Sequence, residues 1–301
     1  MTHQVLSEEE EFNDTGEEIY DKCELFSGEE FNKQYKNYEF YKLLNENLKH
    51  FGFTYENGLN VDTNKFNSTE ECSKGGLYFI EKNKIPMWIG HTNYHFITKC
   101  FIPNDANVCV ENDKFKSDKL IVDINNKTTI ANSSIWNDYN FCKFAIQENS
   151  MCLMFINRQT EELCKMAIQQ CSFSLRYVNE QTEELCKMAI QQDSFSLRYV
   201  NEQNEEICKL AVQKYGLGLQ YVKNQTEEIC KLAVQECGGA LEYVKEQTEE
   251  ICKLAIMEDH NALIYVREQT EELRNLAIKQ RNKSLSFIDR ISYFFHYLFC
   301  S

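Results

Sequence analysis

Apolar side chains recur at helical spacing through the second half of the chain. In residues 159–180, QTEELCKMAIQQCSFSLRYVNE, the first half carries an apolar stripe at intervals of three and four residues, comprising Leu163, Met166 and Ala167, with Cys164 and Ile168 beside them. This spacing predicts an amphipathic helix, because a strand would alternate every two residues. Thr160 can cap the helix, and Glu161 and Glu162 suit the positive end of its dipole.

The second half of the same stretch predicts a shorter helical segment after a tight turn. Its apolar surface is formed by Phe173, Leu175, Tyr177 and Val178. Helices this short are marginal in water when isolated. Each pair of segments must therefore bury its apolar faces against a neighbouring pair.

The pattern repeats with a period of 22 residues. A leading Gln recurs at positions 159, 181, 203, 225, 247 and 269, and a degenerate copy starts at Asn137. Seven such units fill residues 137–290 without an insertion, which is typical of repeat architectures. We therefore predict a mainly α protein, in which an α-solenoid of seven 22-residue helical hairpins follows a small α+β domain.

The regions outside the repeats predict three further parts. Residues 1–31 hold eleven acidic residues and one basic residue, which predicts an acidic, partly disordered tail. Residues 32–136 predict the α+β domain, and residues 291–301, ISYFFHYLFCS, an aromatic helix that caps the repeats. Within the α+β domain we expect a helix at 38–49, a short strand and a turn at 51–58, and strands at 84–88, 94–101 and 119–124, while residues 75–79 should lead into a further strand.

Net charge limits the classes of partner. The chain has a formal net charge of −15, which argues against unspecific binding to nucleic acid, because phosphate contacts require a basic surface. The apolar run at residues 291–301 is well short of the roughly 20 residues that span a bilayer. We expect no nucleic-acid partner and no membrane span.

Six of the fourteen cysteines occupy one position of the repeat: Cys142, Cys164, Cys186, Cys208, Cys230 and Cys252. A disulfide or metal ladder would require closer Cα atoms than the roughly 10 Å expected between stacked repeats. A small buried hydrophobic residue is the preferred interpretation. Many free thiols, with no signal peptide in MTHQVLSEEE, favour a reducing intracellular compartment.

Catalytic and metal-binding motifs are absent from the sequence. It holds no nucleophile elbow, phosphate loop, HExxH or zinc-finger spacing. His91 and His95 flank a turn, with Cys72, Cys100 and Cys109 elsewhere in the same region, but no CxxC pair completes a metal site. We therefore expect no catalytic residue, cofactor or metal, and favour a non-enzymatic protein.

Three variable rows of the repeat identify candidate partner-binding positions. One row lies at the turn, one in the second helical segment and one at the polar joint between units. From these rows we select Arg176, Arg198, Tyr215, Gln220, Glu242, Lys223, Lys245 and Arg267. The alternative is that these rows are solvated faces on which residues vary neutrally.

Two stretches resemble proteins of a known kind. The phrase EEICKLAVQECGGALEYVKEQTEEICKLAI resembles the uncharacterised short helical repeats of giant amoeba-infecting, mimivirus-like viruses. The stretch FGFTYENGLNVDTNKFNSTEECSKGGLYFIEKNKIPMWI, with CFIP and DKLIVDI after it, resembles the region that precedes ankyrin or other repeats in proteins of those viruses. The resemblance covers about residues 35–290. It implies a viral protein in the host cytoplasm and supplies no site residues.

The combined expectation is a protein–protein interaction scaffold that acts on a host or viral protein. One alternative is an enzyme with an unrecognised activity in residues 32–136, targeted by the repeats. A pocket with converging polar groups in that region would favour it. The other alternative is a structural component of the virion.

Overall fold

The computed structural model describes residues 24–50, 52–68, 74–89 and 94–283. The chain divides into two compact units, Met1–Phe141 and Cys142–Ser301. Most of the predicted acidic tail and the whole predicted aromatic cap lie outside the described residues.

The amino-terminal unit is built on an antiparallel sheet. Its strands are β1 (Glu24–Ser27), β2 (Phe40–Leu44), β3 (Lys49–His50), β4 (Phe53–Thr54), β5 (Gly58–Val61), β6 (Leu77–Glu81), β7 (Phe96–Phe101), β8 (Asn107–Val110), β9 (Phe115–Ser117), β10 (Lys119–Val122) and β11 (Thr128–Thr129). The sheet order is β1-β8-β9-β6-β2-β7-β10-β5, with β11 paired to β7 and a separate β3–β4 pair. A sheet-containing amino-terminal region is thus confirmed.

Strand β2 occupies the place where the sequence predicted a helix over residues 38–49, and that prediction is wrong. All five residues of Phe40–Leu44 are buried between β6 and β7. A strand buried on both faces lacks the alternation of apolar and polar positions that marks a half-buried strand, so its sequence pattern does not distinguish it from a helix. Phe40 and Leu44 lie four residues apart, which matches the spacing of an apolar helix face although both residues belong to a strand.

Two other local predictions differ from the structure. Residues 24–31, assigned to the acidic tail, form β1 and the start of helix α1 (Gly28–Gln34), where a Ser27–Glu30 capping box begins the helix and Phe31 is fully buried. The strand expected at residues 84–88 is the short helix α2 (Ile85–Trp88), which has Pro86 in its first turn, where proline is tolerated.

The second unit contains regularly spaced helices, as predicted. They are α3 (Tyr139–Glu148, which begins before the division between the units), α4 (Glu161–Gln170), α5 (Glu183–Gln192), α6 (Glu205–Lys214), α7 (Glu227–Glu236), α8 (Glu249–Glu258) and α9 (271–283). Thr160 caps α4 by accepting a hydrogen bond from the Leu163 N–H at 3.3 Å. Asn204 replaces threonine as the cap of α6.

The second segment of each repeat is a six-residue 3₁₀ helix rather than an α-helix. In the second unit these segments are Ser150–Phe155, Ser172–Tyr177, Ser194–Tyr199, Gly216–Tyr221, Gly238–Tyr243 and His260–Tyr265. Helix α4 ends at Cys171, whose extended backbone (φ −150°) starts the 3₁₀ turn. Six residues is long for a 3₁₀ helix, since most runs have three or four residues.

The core of the second unit repeats with the sequence. In one copy it comprises Leu163, Cys164, Ala167, Ile168, Leu175 and Val178, all buried. Successive α-helices from α4 to α8 contact one another and the adjacent 3₁₀ segments. The six cysteines at the repeated position are buried as free thiols, which confirms the preferred interpretation of that row.

Candidate interaction surface of the repeats

The 3₁₀ segments present one exposed row of side chains. The fifth residue of each segment is exposed in every described copy, namely Met154, Arg176, Arg198, Gln220, Glu242 and Ile264. The residue before it in the segment, such as Leu175, is buried in the core, and the fifth residue therefore faces solvent. Sequence variation in this row therefore lies at the surface, and its last member, Ser286, is outside the described residues.

Two arginines of this row lie over aromatic rings of their own and of adjacent repeats. The Arg176 guanidinium carbon lies 4.7 Å from the ring centroid of Tyr177 and 5.6 Å from that of Tyr199. The Arg198 carbon lies 4.8 Å from Phe173, 4.6 Å from Tyr199 and 5.9 Å from Tyr221. We call these six residues the aromatic–arginine patch: Phe173, Arg176, Tyr177, Arg198, Tyr199 and Tyr221.

A second aromatic group adjoins the patch. The Phe195 ring packs edge-on against Tyr215 at 5.4 Å and against Tyr221 at 5.8 Å. Tyr215 is 41% exposed, although it is a large aromatic residue. The structure thus brings together three of the candidate residues selected from sequence, Arg176, Arg198 and Tyr215.

The two arginines keep donors for a ligand. Within the described part of the chain, no carboxylate lies within 4.0 Å of either guanidinium group. Both residues are exposed, and a guanidinium group presents N–H donors that can bind a carboxylate in a bidentate manner. Farther along the row, the side chain of Gln220 donates to the Leu217 carbonyl, and Glu242 lies beside Tyr243 and raises the pKa of that phenol.

The three cations of the joint row have a different role. Lys223 Nζ donates to the Val200 and Asn201 carbonyls at 3.1 and 2.8 Å. Lys245 Nζ donates to the Lys223 carbonyl, and Arg267 donates to the Lys245 and Val244 carbonyls. Each cation therefore binds the backbone of the preceding joint, and each of the three residues is also exposed.

The leading glutamine of the repeat joins three backbone segments. Gln203 Nε2 donates to the Leu197 carbonyl of the preceding repeat at 3.2 Å and to the Tyr221 carbonyl of its own repeat at 2.9 Å. Its Oε1 accepts from the Lys223 N–H at 2.9 Å. The same three bonds occur at Gln181, Gln225 and Gln247. Sequence analysis noted this glutamine only as a repeat marker; its recurrence in six of the seven copies was the available signal.

A ladder of ion pairs covers the α-helical face. Lys187 Nζ lies 2.6 Å from Glu183 in its own helix and 2.6 Å from Glu206 in the next helix. The lysines of α4, α6, α7 and α8 repeat this arrangement. The within-helix pair follows from the i, i+4 spacing, whereas the pair to the next helix was not predicted. These charges already have partners, so this face offers less to a ligand than the patch does.

The repeated cysteines do not form a reactive site. Burial, followed by the nearby Glu161 charge, raises the pKa of Cys164 to about 11. A buried thiol with a raised pKa stays protonated and is a poor nucleophile or metal ligand. No group of three His, Cys, Asp or Glu side chains among the described residues could hold a metal ion. Cys109, in the amino-terminal unit, is disulfide-bonded.

Comparison of the chain with protein-family models, curated proteins and solved structures finds no match. Over the residues that the structure describes, no helix is both long and apolar enough to cross a membrane.

Proposed function

We propose that the helical unit is a solenoid and that the protein is a non-enzymatic scaffold whose aromatic–arginine patch binds an acidic segment of a protein partner. The exposed guanidinium groups stacked on tyrosine rings are the observation on which this rests. Arginine and tyrosine are enriched among the residues that dominate binding energy in protein interfaces. Contact between successive helices and the glutamine bonds between repeats support the solenoid.

The cellular setting is part of the same proposal. The resemblance to repeat proteins of giant amoeba-infecting viruses supports a viral origin, with action on host or viral proteins in the host cytoplasm. Ten cysteines that are free thiols accord with a reducing compartment, and the disulfide at Cys109 does not.

The test is capture of partners by the full-length protein from an extract of amoebal host cells. The variant R176E/R198E reverses both charges of the patch. The variant K279E/R281E makes the same change in net charge on exposed residues of α9. We expect wild type and the control variant to retain the same proteins, and R176E/R198E to bind them at least about ten-fold more weakly, as loss of interface arginines does.

Thermal unfolding of all three proteins checks that the patch variant is folded. Equal capture by both variants, with equal stability, would show that the patch is not the binding surface. Equal loss in both variants would show that net charge alone determines binding.

A further inference from the structure

The amino-terminal unit contains a buried polar cluster that is separate from the repeat surfaces. Lys42 lies on β2 and is 2% exposed. Its Nζ donates to the Tyr78 carbonyl at 2.6 Å and lies 3.0 Å from His50 Nδ1. His50 Nε2 in turn lies 3.1 Å from the Tyr94 hydroxyl. The amine, the imidazole and the phenol form a continuous hydrogen-bonded chain.

Strand pairing explains why a lysine occupies this position. β2 pairs with β7 along all of Phe40–Leu44 but with β6 only through Phe40 and Tyr41. Just beyond the end of that shorter ladder, the Lys42 amine donates to the Tyr78 carbonyl of β6. A buried carbonyl without a hydrogen-bond donor would raise the free energy of the folded state, and the donor from Lys42 avoids this penalty.

The surroundings of Lys42 favour its neutral amine. In the described part of the chain no carboxylate lies within 4.0 Å of its Nζ; the other near groups are the Tyr55 ring, at 4.7 Å, and Cys100. Burial raises the pKa of both these groups, so both are uncharged. Burial lowers the pKa of Lys42 to about 7, and burial and then Lys42 lower the pKa of His50 to about 2. A neutral amine can donate to Tyr78 and to the imidazole and still keep its lone pair.

Lys42, His50, Tyr78 and Tyr94 line one cavity of about 60 Å³, together with Trp88 and Lys114. That volume holds about four to six water-sized groups, which limits a ligand to a similar number of non-hydrogen atoms. Lys114 is paired with Glu111 at 3.2 Å and with Asp113 at 3.7 Å, so it has no spare charge for an anion. The remaining aromatic walls favour an uncharged molecule.

We propose that this cavity binds a small uncharged aldehyde and that the Lys42 amine combines with its carbonyl carbon to form an imine. The nitrogen lone pair forms a bond to the carbonyl carbon while the carbonyl π electrons move to oxygen, and a proton moves from nitrogen to that oxygen to give a carbinolamine. Loss of one water, which removes the oxygen and two hydrogens, leaves the C=N bond. Buried lysines of lowered basicity are the usual source of such amines.

The experiment uses the full-length protein, propanal as the probe and cyanoborohydride to reduce any imine to a stable secondary amine. Peptide mass spectrometry after brief reaction at pH 7 measures the modified fraction of each lysine. We expect Lys42 to be labelled on the order of ten-fold faster than exposed lysines such as Lys33 and Lys36, because ordinary lysines are almost wholly protonated at pH 7. At pH 5, where most of the Lys42 amine is protonated, the rate at which Lys42 is labelled should fall by at least about ten-fold from its value at pH 7.

A second probe tests the cavity without any change in the protein. Naphthaldehyde has about twice the number of non-hydrogen atoms that the cavity admits, so it should label the exposed lysines but not Lys42. Labelling of Lys42 by propanal no faster than that of exposed lysines would overturn the proposal. Equal preference for Lys42 with both aldehydes would overturn the assignment of the ligand to this cavity.

Discussion

At the scale of single residues, the leading glutamine gives the sharpest prediction. Substitution Gln203→Ala removes donors to the Leu197 and Tyr221 carbonyls and an acceptor for the Lys223 N–H. At about 1 kcal/mol for each partly buried hydrogen bond, we expect the free energy of unfolding to fall by about 2–3 kcal/mol. Urea unfolding followed by circular dichroism measures this change.

The control for this prediction lies in the same row. Gln269 is exposed, and among the residues that the structure describes it donates to the Leu263 carbonyl alone, so Gln269→Ala should cost less than half as much. If the two substitutions destabilise the protein equally, the three hydrogen bonds of the glutamine side chain are not the reason that glutamine recurs in the repeat.

Individual residues also show what the sequence could predict and what it could not. Cys164 was predicted as a core residue from its helical position, and it is buried. The joint cation Lys223 was selected as a partner-binding candidate because its row varies, yet its Nζ binds two carbonyls of the preceding joint. Variation between copies indicates that a position tolerates change, but it does not show what the side chain contacts in a neighbouring repeat.

At the scale of elements, the glycines that open two of the 3₁₀ segments fix a close contact. A Cβ at Gly216 would lie 2.3 Å from the Ala233 carbonyl oxygen of α7. We therefore expect Gly216→Ser to lower the free energy of unfolding by about 1–3 kcal/mol, as overpacking does, although earlier copies have serine at this position. A Cβ at Gly239 would meet only Cys237 Sγ at 3.7 Å, so Gly239→Ala should change stability by less than about 0.5 kcal/mol. Equal urea midpoints for the two variants would contradict the steric argument.

The ion-pair ladder predicts a dependence of stability on pH. The hydrogen bond and charge of Lys187 lower the pKa of Glu183 below its ordinary 4.5, and Glu183, then Glu206, raises the pKa of Lys187. The carboxylate contributes stability above pH 4.5 that is lost as pH falls through its lowered pKa. The lysine contributes stability below pH 10.5 that is lost as pH rises through its raised pKa. Both contributions are complete at pH 7.

We therefore expect Lys187→Met to lower the urea midpoint at pH 7 in low salt, and this difference to shrink at pH 3 and in 1 M NaCl. Lys279→Met, which removes an exposed lysine with no ion pair among the described residues, should leave the midpoint unchanged at every pH. A deficit in Lys187→Met that persists at pH 3 in high salt would point to packing of the lysine methylenes instead.

The elements also show what periodicity can and cannot predict. The 22-residue repeat predicted the spacing of α4 through α8, because each amphipathic helix must bury one stripe against its neighbours. It did not predict that the second segments are 3₁₀ helices, because the apolar pattern of a six-residue segment fits an α-helix and a 3₁₀ helix equally well. In the amino-terminal unit, β2 was mistaken for a helix because burial on both faces removes the alternation that identifies a strand.

At the scale of the whole molecule, the candidate surface was only partly predictable. Sequence variation selected Arg176, Arg198 and Tyr215, but the rings that stack on the arginines come from the same and the adjacent repeats. Such contacts depend on how far successive repeats are rotated, which no single copy specifies. The Lys42 cavity was not predicted at all, since it brings together residues from β2, β3 and β6 and the Tyr94 side chain.

The residues of the aromatic–arginine patch also suit a nucleic-acid ligand, and the net charge of the chain decides between nucleic acid and protein. Arginines interleaved with aromatic rings also bind single-stranded nucleic acid, where bases stack on the rings. The chain has a net charge of −15, and glutamates recur at the start of helices α4 to α8, so counterion release would contribute little to such binding. We therefore expect no change in the anisotropy of a labelled oligonucleotide of about 20 thymidines, at about 0.15 M salt, on addition of the full-length protein to tens of micromolar. Binding that weakens steeply with salt and is absent in R176E/R198E but present in K279E/R281E would assign the patch to nucleic acid and remove the proposal of an acidic protein partner.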